Sequence, residues 1–310
     1  MIILITGGAG FIGSNLAEAL IAEGHSVRII DNLATGYKSN IEGIQYKAEF
    51  LDGDIRDIEI VMDAVSGVDA VVHLAALPAV VQSIENPLST FDANIKGTVN
   101  LLSACRELNV KRFVYASSAA VYGDVKVMPV TENTPTLPIS PYGIDKLSGE
   151  YYCRFFHNNY GLESVVIRAF NAFGPRQDSK SYYSSVIPKF ISRMLRGERP
   201  LIYGDGEQTR DFTYIANIVH AIKLALFGTP KQFGVPINCA TAKTVSLNQL
   251  VSILNDQLHT DLQPEYLPPV QGDIKHSSAD ISLAEQILSY QPIVPFETGI
   301  KETIEYYRNL

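Results

Sequence analysis

Residues 1–15 read MIILITGGAGFIGSN. A four-residue apolar run at 2–5 stops abruptly in a cluster of glycines, Gly7, Gly8, Gly10 and Gly13. A helical pattern follows from Ser14 to about Glu23, with Leu16, Leu20 and Ile21 on one face, and Gly24 closes it. A short apolar run with no alternation is a strand buried on both faces. When it turns at once into a helix, the chain is set up for a crossover to a parallel neighbour. The same alternation continues to residue 170. SVRIIDN, QYKAEF, DAVVHLAA, RFVYASS and ESVVIRAF read as strands, and helices are expected near 57–65, 89–108 and 142–159. The expected class is α/β, a parallel sheet covered by helices on both faces.

After Phe170 Pro and Gly become frequent and the alternation lapses. Helices are expected at 182–196, 214–227, 246–258, 281–289 and 298–309, with an irregular stretch around Pro264, Pro268 and Pro269. The division expected is a first part at 1–170 and a smaller second part at 171–310, with segments near 212–240 returning to the first. The chain has 310 residues, 46% of them hydrophobic and 19% charged, enough to bury a large core. Its net charge of −8, with no basic cluster, argues against nucleic acid as a partner. No run of about 18 apolar residues is present, so no membrane span is expected. The first residues lack a basic leader. Cys105, Cys153 and Cys239 are scattered, odd in number and without a Cys or His at metal spacing. They are expected to be buried small hydrophobes in a reducing cytoplasm, with no metal site.

The glycines carry the first chemical reading. Gly8, Gly10 and Gly13 have G-x-G-x-x-G spacing, and Gly7 extends it to T-G-x-x-G-x-x-G. Such a turn lets backbone approach a pyrophosphate that rests on the helix N-terminus. Asp31, at the end of the second strand, can accept bonds from an adenosine ribose and would repel a 2′-phosphate, which favours NAD over NADP. The plain alternative is a glycine-rich turn with a capping Asp. Asp54, in GDIRD, is a candidate for the adenine amino group and equally for a helix N-cap. His73 reads first as a satisfied structural histidine, and Asn94 as a helix cap.

The second reading rests on Tyr142 and Lys146, four residues apart in SPYGIDK. On a helix they share a face, and an ammonium beside a phenol is expected to lower the phenol's pKa and ready it for proton exchange with an alcohol. Tyr122 and Lys126, in VYGDVK, have the same spacing, so spacing alone does not choose between them.

Taken together, TGGAGFIG at 6–13, DN at 31–32, GDIRD at 53–57, HLAA at 73–76, SSAAVYG at 117–123, PYGIDK at 141–146, RAFNAFGPRQ at 168–177, GDGEQTRDF at 204–212 and GDIKHSSADIS at 272–282 resemble the extended short-chain dehydrogenase/reductase family. Within that family the chain is most similar to nucleotide-sugar 4-epimerases. The resemblance implies a Rossmann-type doubly wound parallel sheet with bound NAD, and a smaller C-terminal α/β domain that closes over a nucleotide diphosphate sugar. It assigns catalysis to Tyr142, Lys146 and Ser118, with Tyr122 left to the VYG turn. Ser117 is easily confused with Ser118. The cofactor residues it implies are Gly7, Gly10, Phe11, Ile12, Gly13, Asp31, Asn32, Asp54, Ile55, Leu74, Ala75, Ala76, Asn94 and Ser117, with Tyr142 and Lys146 beside the nicotinamide. The substrate residues it implies are Ser118, Asn171, Val186, Lys189, Arg210, Asp273 and Ser277.

Relatives that eliminate water or decarboxylate carry acidic residues just after the active Ser or Thr; here Ala119 and Ala120 stand there, which favours simple 4-epimerisation. Tyr142 would take the C4 hydroxyl proton while hydride passes to NAD, and the 4-keto sugar would return both on its other face. The chain departs from its relatives at Val270, where they usually carry Arg, with Lys275 or Arg176 as substitutes, and at Ala169, where many carry Tyr. Ser277 falls where glucose-restricted relatives carry a bulky Tyr, and residues 176–190 resemble UDP-N-acetylglucosamine 4-epimerases. The expected reaction is therefore interconversion of UDP-GlcNAc and UDP-GalNAc. UDP-glucose or a UDP-uronic acid as substrate, net sugar oxidation, and a non-catalytic NAD-binding regulator remain alternatives. A homodimer through helices near 89–108 and 142–159 is also implied.

Overall fold

The computed structural model describes residues 1–179, 185–269 and 274–310. Seven parallel strands form the central sheet. In chain order they are β1 (Ile2–Thr6), β2 (Ser26–Asp31), β3 (Ala48–Asp52), β4 (Ala70–His73), β5 (Arg112–Ser118), β6 (Glu163–Ala169) and a last strand, Pro236–Cys239. In space they run last strand, β6, β5, β4, β1, β2, β3. The order reverses between β1 and β4, and the crevice at the carboxyl ends of these strands is where such sheets take ligands. Ile3, Leu4 and Ile5 of β1 are fully buried. Each such side chain contributes roughly 1.5–3 kcal/mol on leaving water. The fold is the Rossmann-type α/β arrangement expected.

Helices cover both faces. On one lie α1 (Phe11–Ala22) and the helix Ile215–Phe227, which pack on each other. On the other lie α2 (Ile58–Val65), Gly97–Glu107 and Pro141–Tyr160. The last begins at Ser140, whose hydroxyl accepts from the Gly143 amide, has Pro141 in its first turn, and ends at Gly161 with φ +72°. The helix expected over 89–108 is broken instead: Val80–Glu85 and Pro87–Phe91 lead into a π-helical turn, Asp92–Lys96, before Gly97–Glu107. All three cysteines are free and buried.

The chain beyond 170 returns to the sheet. Pro236–Cys239 pairs in parallel with β6, Asn238 opposite Arg168, so the sheet's edge is built from late residues. The remaining late elements are small. They include two- and three-residue strands and the helices Val186–Leu195, Leu247–Leu258, Ser282–Leu288 and Phe296–Arg308. A capping box between Ser246 and Gln249 starts the second of these. One core runs from β1 and α1 through Ile215, Ile218 and Ile222 to Leu250, Ile300 and Ile304, so early and late residues share it. No helix among the described residues is long and apolar enough to cross a membrane.

Candidate active site

A cleft of about 1330 Å³ opens over the carboxyl ends of β1, β2, β4, β5 and β6. Its cofactor end is built by backbone. Gly7 sits at φ +69°, and a Cβ there would lie 2.7 Å from the Ala75 amide nitrogen. A Cβ on Gly13 would come within 2.3 Å of the Gly7 carbonyl oxygen. The turn closes only because both are glycine. Gly10 caps α1 with no side-chain bond, so the first amides of the helix, at Phe11, Ile12 and Gly13, face the cleft without side-chain competition. This is a cradle for an anion.

Asp31 ends β2. Its Oδ2 accepts from the Ala9 amide at 2.9 Å and its Oδ1 from the Leu33 amide at 2.8 Å. Burial pushes its carboxyl up, and these two amides pull the other way. A carboxylate held like this at the strand end is placed to accept from a ribose and is hostile to a phosphate. Next to it the Asn32 amide nitrogen donates to Asp54 at 2.8 Å, and the Arg56 guanidinium grips Asp54 and holds its carboxyl at about 2. Asp54 is not a helix cap; that role belongs to Asp57, whose carboxylate accepts from the Glu59 amide. Ile55, Leu74, Ala75 and Ala76, named above as cofactor residues, line the cleft. The glycine cradle, the uncapped helix and the ribose-facing carboxylate together fit NAD.

Two expected cofactor residues have other duties. Asn94 lies inside the π-helical turn rather than at a helix start. It accepts from the Leu77 amide at 2.8 Å, and its amide nitrogen donates to the Leu77 carbonyl and to Asp145. It clamps the loop after β4 and is absent from the lining of the cleft. Ser117 lines the cleft, but its hydroxyl donates to Glu150 at 2.5 Å. His73 is held through both ring nitrogens by Thr6 and Thr98, at 2.7 and 2.8 Å, and burial keeps it well below the usual histidine range. It is a structural histidine.

Tyr142 and Lys146 lie on the helix Pro141–Tyr160 and face the end of β5. Ser118, the last residue of that strand, lines the cleft together with Tyr142 and accepts from the Ala120 amide at 3.2 Å. Lys146 Nζ donates to the Ala116 carbonyl at 2.7 Å and stands 6.0 Å from the centre of the Tyr142 ring. Burial brings Lys146 down to about 8, against the pull of neighbouring Asp145. Contrary to the expectation from spacing, the Tyr142 phenol is raised rather than lowered: burial outweighs the pull of Ser118, and the ammonium is spent on a carbonyl rather than on the phenolate. Tyr122 is elsewhere. Its hydroxyl donates to Asn238 at 2.7 Å and accepts from Arg168 at 2.8 Å, while Lys126 is exposed and paired with Asp124. Ala119 and Ala120 follow Ser118 into the cleft wall and bring no acid or base.

At the far end Asn171, Arg210 and Ser277 converge. Asn171 donates to Ser277 Oγ at 3.3 Å and to the Asp211 carbonyl at 3.0 Å. Ser277 stands opposite Arg210 in a parallel strand pair, and all three line the cleft. Val186 and Lys189 open the helix Val186–Leu195. Val186 packs on the core, and neither is in the lining, although Ser185 is. Asp273 and Val270 lie outside the described residues. Ala169 lines the cleft at the end of β6. Arg176 also lines it, at φ +68°, and pairs with Glu18 of α1. Asp145 and Glu150, both buried on the helix Pro141–Tyr160, are absent from the sequence reading, although they stand one residue before and four residues after Lys146, a spacing that could have marked them.

The family model described as the NAD dependent epimerase/dehydratase family matches residues 3–234. A putative UDP-glucose 4-epimerase of Methanocaldococcus jannaschii is 39% identical, over 99% of this chain and 98% of its own length. The structure is similar, with a TM-score of 0.94 and 39% identity, to a UDP-glucose 4-epimerase of Thermotoga maritima solved with UDP-glucose, covering 100% of this chain and 99% of that one. It is equally similar, at TM-score 0.94 and 41% identity, to a UDP-N-acetylglucosamine 4-epimerase of Methanobrevibacter ruminantium in complex with UDP-N-acetylmuramic acid, covering 99% and 98%. With a glycine cradle and a Ser118–Tyr142–Lys146 cluster on one cleft, and a family match over most of its length, this chain belongs to the NAD dependent epimerase/dehydratase family.

Proposed function

We propose that this protein is a 4-epimerase of UDP-hexoses that interconverts UDP-GlcNAc and UDP-GalNAc. The observation that carries the reaction type is Tyr142 and Ser118 on one cleft, at a strand end followed by Ala119 and Ala120. One proton carrier suffices for oxidation and reduction at C4; elimination or decarboxylation would need a second acid or base. NAD, when bound, supplies the hydride acceptor and donor for the sugar C4. Gly7, Gly10, Phe11, Ile12 and Gly13 would hold its pyrophosphate, and Asp31 and Asn32 its adenosine side. Burial holds the Tyr142 phenol above its usual range, so it must first release its own proton to solvent; as the phenolate, its Oη would take the proton from the C4 hydroxyl and later return it, with Ser118 Oγ keeping the sugar oxygen in reach. Lys146 holds the strand end and supplies positive charge beside the phenol. Asn171 and Arg210 take the diphosphate; a guanidinium suits such contacts.

The acetylated sugar is favoured by Ser277. A small side chain bonded to Asn171 leaves room beside the cleft's substrate end. UDP-glucose is the second reading, since relatives similar over the full length carry that name. Incubation with each UDP-sugar, without added cofactor, and NMR of the products tests both the reaction and the choice. Oxidised sugar released with stoichiometric NADH, or no turnover of any UDP-hexose, would sink the epimerase reading. Ser277→Tyr is expected to lower kcat/KM for UDP-GlcNAc by about tenfold relative to UDP-glucose, the scale set by one misfitted group in a pocket. An unchanged ratio removes Ser277 as the gate.

The working unit in this reading is a homodimer. Ile84, Leu88 and Phe91 lie beside Ile144, Tyr151 and Phe155 on adjoining helices and are all exposed, Leu88 at 77%. A second copy would cover this apolar face. A monomer by light scattering at micromolar concentration would exclude it.

A further inference from the structure

Tyr142, Lys146 and Glu150 form three rungs, spaced four apart, on the face of the helix Pro141–Tyr160 that meets the end of β5. Lys146 donates to the Ala116 carbonyl and Glu150 accepts from the Ser117 hydroxyl, while Tyr142 lines the cleft with Ser118. Two consecutive strand residues are thus tied to two successive helical turns, and Ser118 follows them directly. The contact is close: a Cβ on Gly149 would sit 2.2 Å from the Tyr115 hydroxyl. Helix and strand therefore have little freedom to slide.

The third rung is an ion pair. Glu150 and Arg168 are 5% and 3% exposed. Arg168 Nε and Nη2 donate to the two Glu150 oxygens at 2.8 and 2.6 Å, and Nη1 donates to the Tyr122 hydroxyl. Tyr122 donates in turn to Asn238 of the last strand. The network therefore holds Ser118 from both sides: through Ser117 just before it, and through Tyr122 just after the short helical turn Ala119–Val121. Asn238 anchors the far end, donating to the carbonyls of Val130 and Asp280. A buried pair of this kind is a costly way to gain stability, because both charges leave water. Its geometry makes better sense as a device for position, since it ties the helix to Ser117 on one side of Ser118 and to Tyr122 on the other, and anchors both through Asn238.

We propose that Glu150, Arg168 and Tyr122 are positioning residues that set the Ser118–Tyr142 distance, so that the second Tyr of the repeated spacing serves the first. None of them touches the reacting atoms. The proposal rests on the epimerase reading only for Tyr142 as the proton carrier.

The test uses Tyr122→Phe, which removes one hydroxyl, and Glu150→Gln, which keeps shape and loses charge. Each is purified with its own cofactor and assayed for kcat, KM and the pH profile of kcat on a UDP-sugar that the wild type turns over. Loss of registration is expected to lower kcat by about tenfold while KM stays within about twofold, and to move the pH profile, because proton transfer is sensitive to displacements well under 1 Å. Ser117→Ala cuts only the rung to the strand and is the mild variant if Glu150→Gln does not fold; a smaller fall in kcat, with the same shift of the profile, is expected. Unchanged kcat and an unchanged pH profile in the folded variants, even with a lower melting temperature, would overturn the proposal and leave the network a stabilising one. Full activity of Tyr142→Phe would instead overturn the functional reading and leave these three residues without a reaction to serve.

Discussion

Tyr142–Lys146 and Tyr122–Lys126 have the same spacing and the same side chains, yet they occupy unlike places. The first pair lies on a regular helix, so four residues bring both side chains to one face, and that face meets the end of β5. The second follows a turn. Gly123, at φ +70°, packs so tightly that a Cβ would overlap the Leu137 carbonyl oxygen, and the chain carries Lys126 out to solvent. Tyr122 is buried and held by two polar partners, and burial lifts it to about 12. Tyr142 faces the cleft, with Ser118 in the same lining. The lesson is that a phenol's use depends on what its oxygen is left free to meet. Tyr122 has spent its hydrogen-bonding capacity inside the protein.

The largest expected effect sharpens that contrast directly. Tyr142→Phe should lower kcat by about 10³-fold, within the range of a lost general acid–base group. Its NAD affinity should stay within a few-fold, because the glycine cradle is untouched. Turnover by NMR and cofactor content by absorbance check the two halves. Lys146→Met comes next, at about 10²-fold in kcat, since it removes both the charge and the tie to Ala116.

The same variant tests the electrostatics of the site. Lys146 holds its proton in the folded protein only up to about 8, against an ordinary value of 10.5. Between these values the unfolded chain binds more protons than the folded one. This group's contribution to stability therefore rises with pH across that window, by at most about 1.4 kcal/mol per pH unit, and is lost as pH falls through 8. Denaturant unfolding at two pH values inside the window should show that slope in the wild type, with the slope reduced in Lys146→Met. Equal slopes would mean that burial does not depress this lysine. The smallest effect belongs to the other pair. Lys126→Ala should change kcat by less than about twofold and stability by less than about 1 kcal/mol, because its pair with Asp124 is exposed. A catalytic defect there would break the comparison.

Much of the cofactor end was readable from residues alone. A glycine at 7 or 13 answers to local backbone geometry, and Asp31 follows from the length of β2, so neither needs distant partners to be recognised. The choice between neighbours was harder. Ser117 and Ser118 differ by one position on a strand, which sends their side chains to opposite faces. What tells them apart is the packed protein: the Ser117 hydroxyl is taken by Glu150, while Ser118 accepts from the Ala120 amide. Asn94 reads as a cap because an Asn entering a helix most often is one; the π-helical turn carries it inward to Leu77 instead. The Tyr142 phenol is raised where spacing predicts lowering, for a related reason. Spacing reports that an ammonium is near, whereas burial and the ammonium's own bond to Ala116 are properties of the packed protein.

What the sequence determined by itself is local: buried strands, the glycine turn that only glycine can make, the helix that brings Tyr142 and Lys146 to one face, and the absence of an acid or base after Ser118. Each depends on neighbours a few residues away. Tertiary structure decided the rest. It returned Pro236–Cys239 to the edge of the sheet, gathered Asn171, Arg210 and Ser277 at one end of the cleft, and tied Glu150 to Arg168 across adjacent elements. Burial and long-range hydrogen bonds set those outcomes, and both exist only once distant segments have packed together.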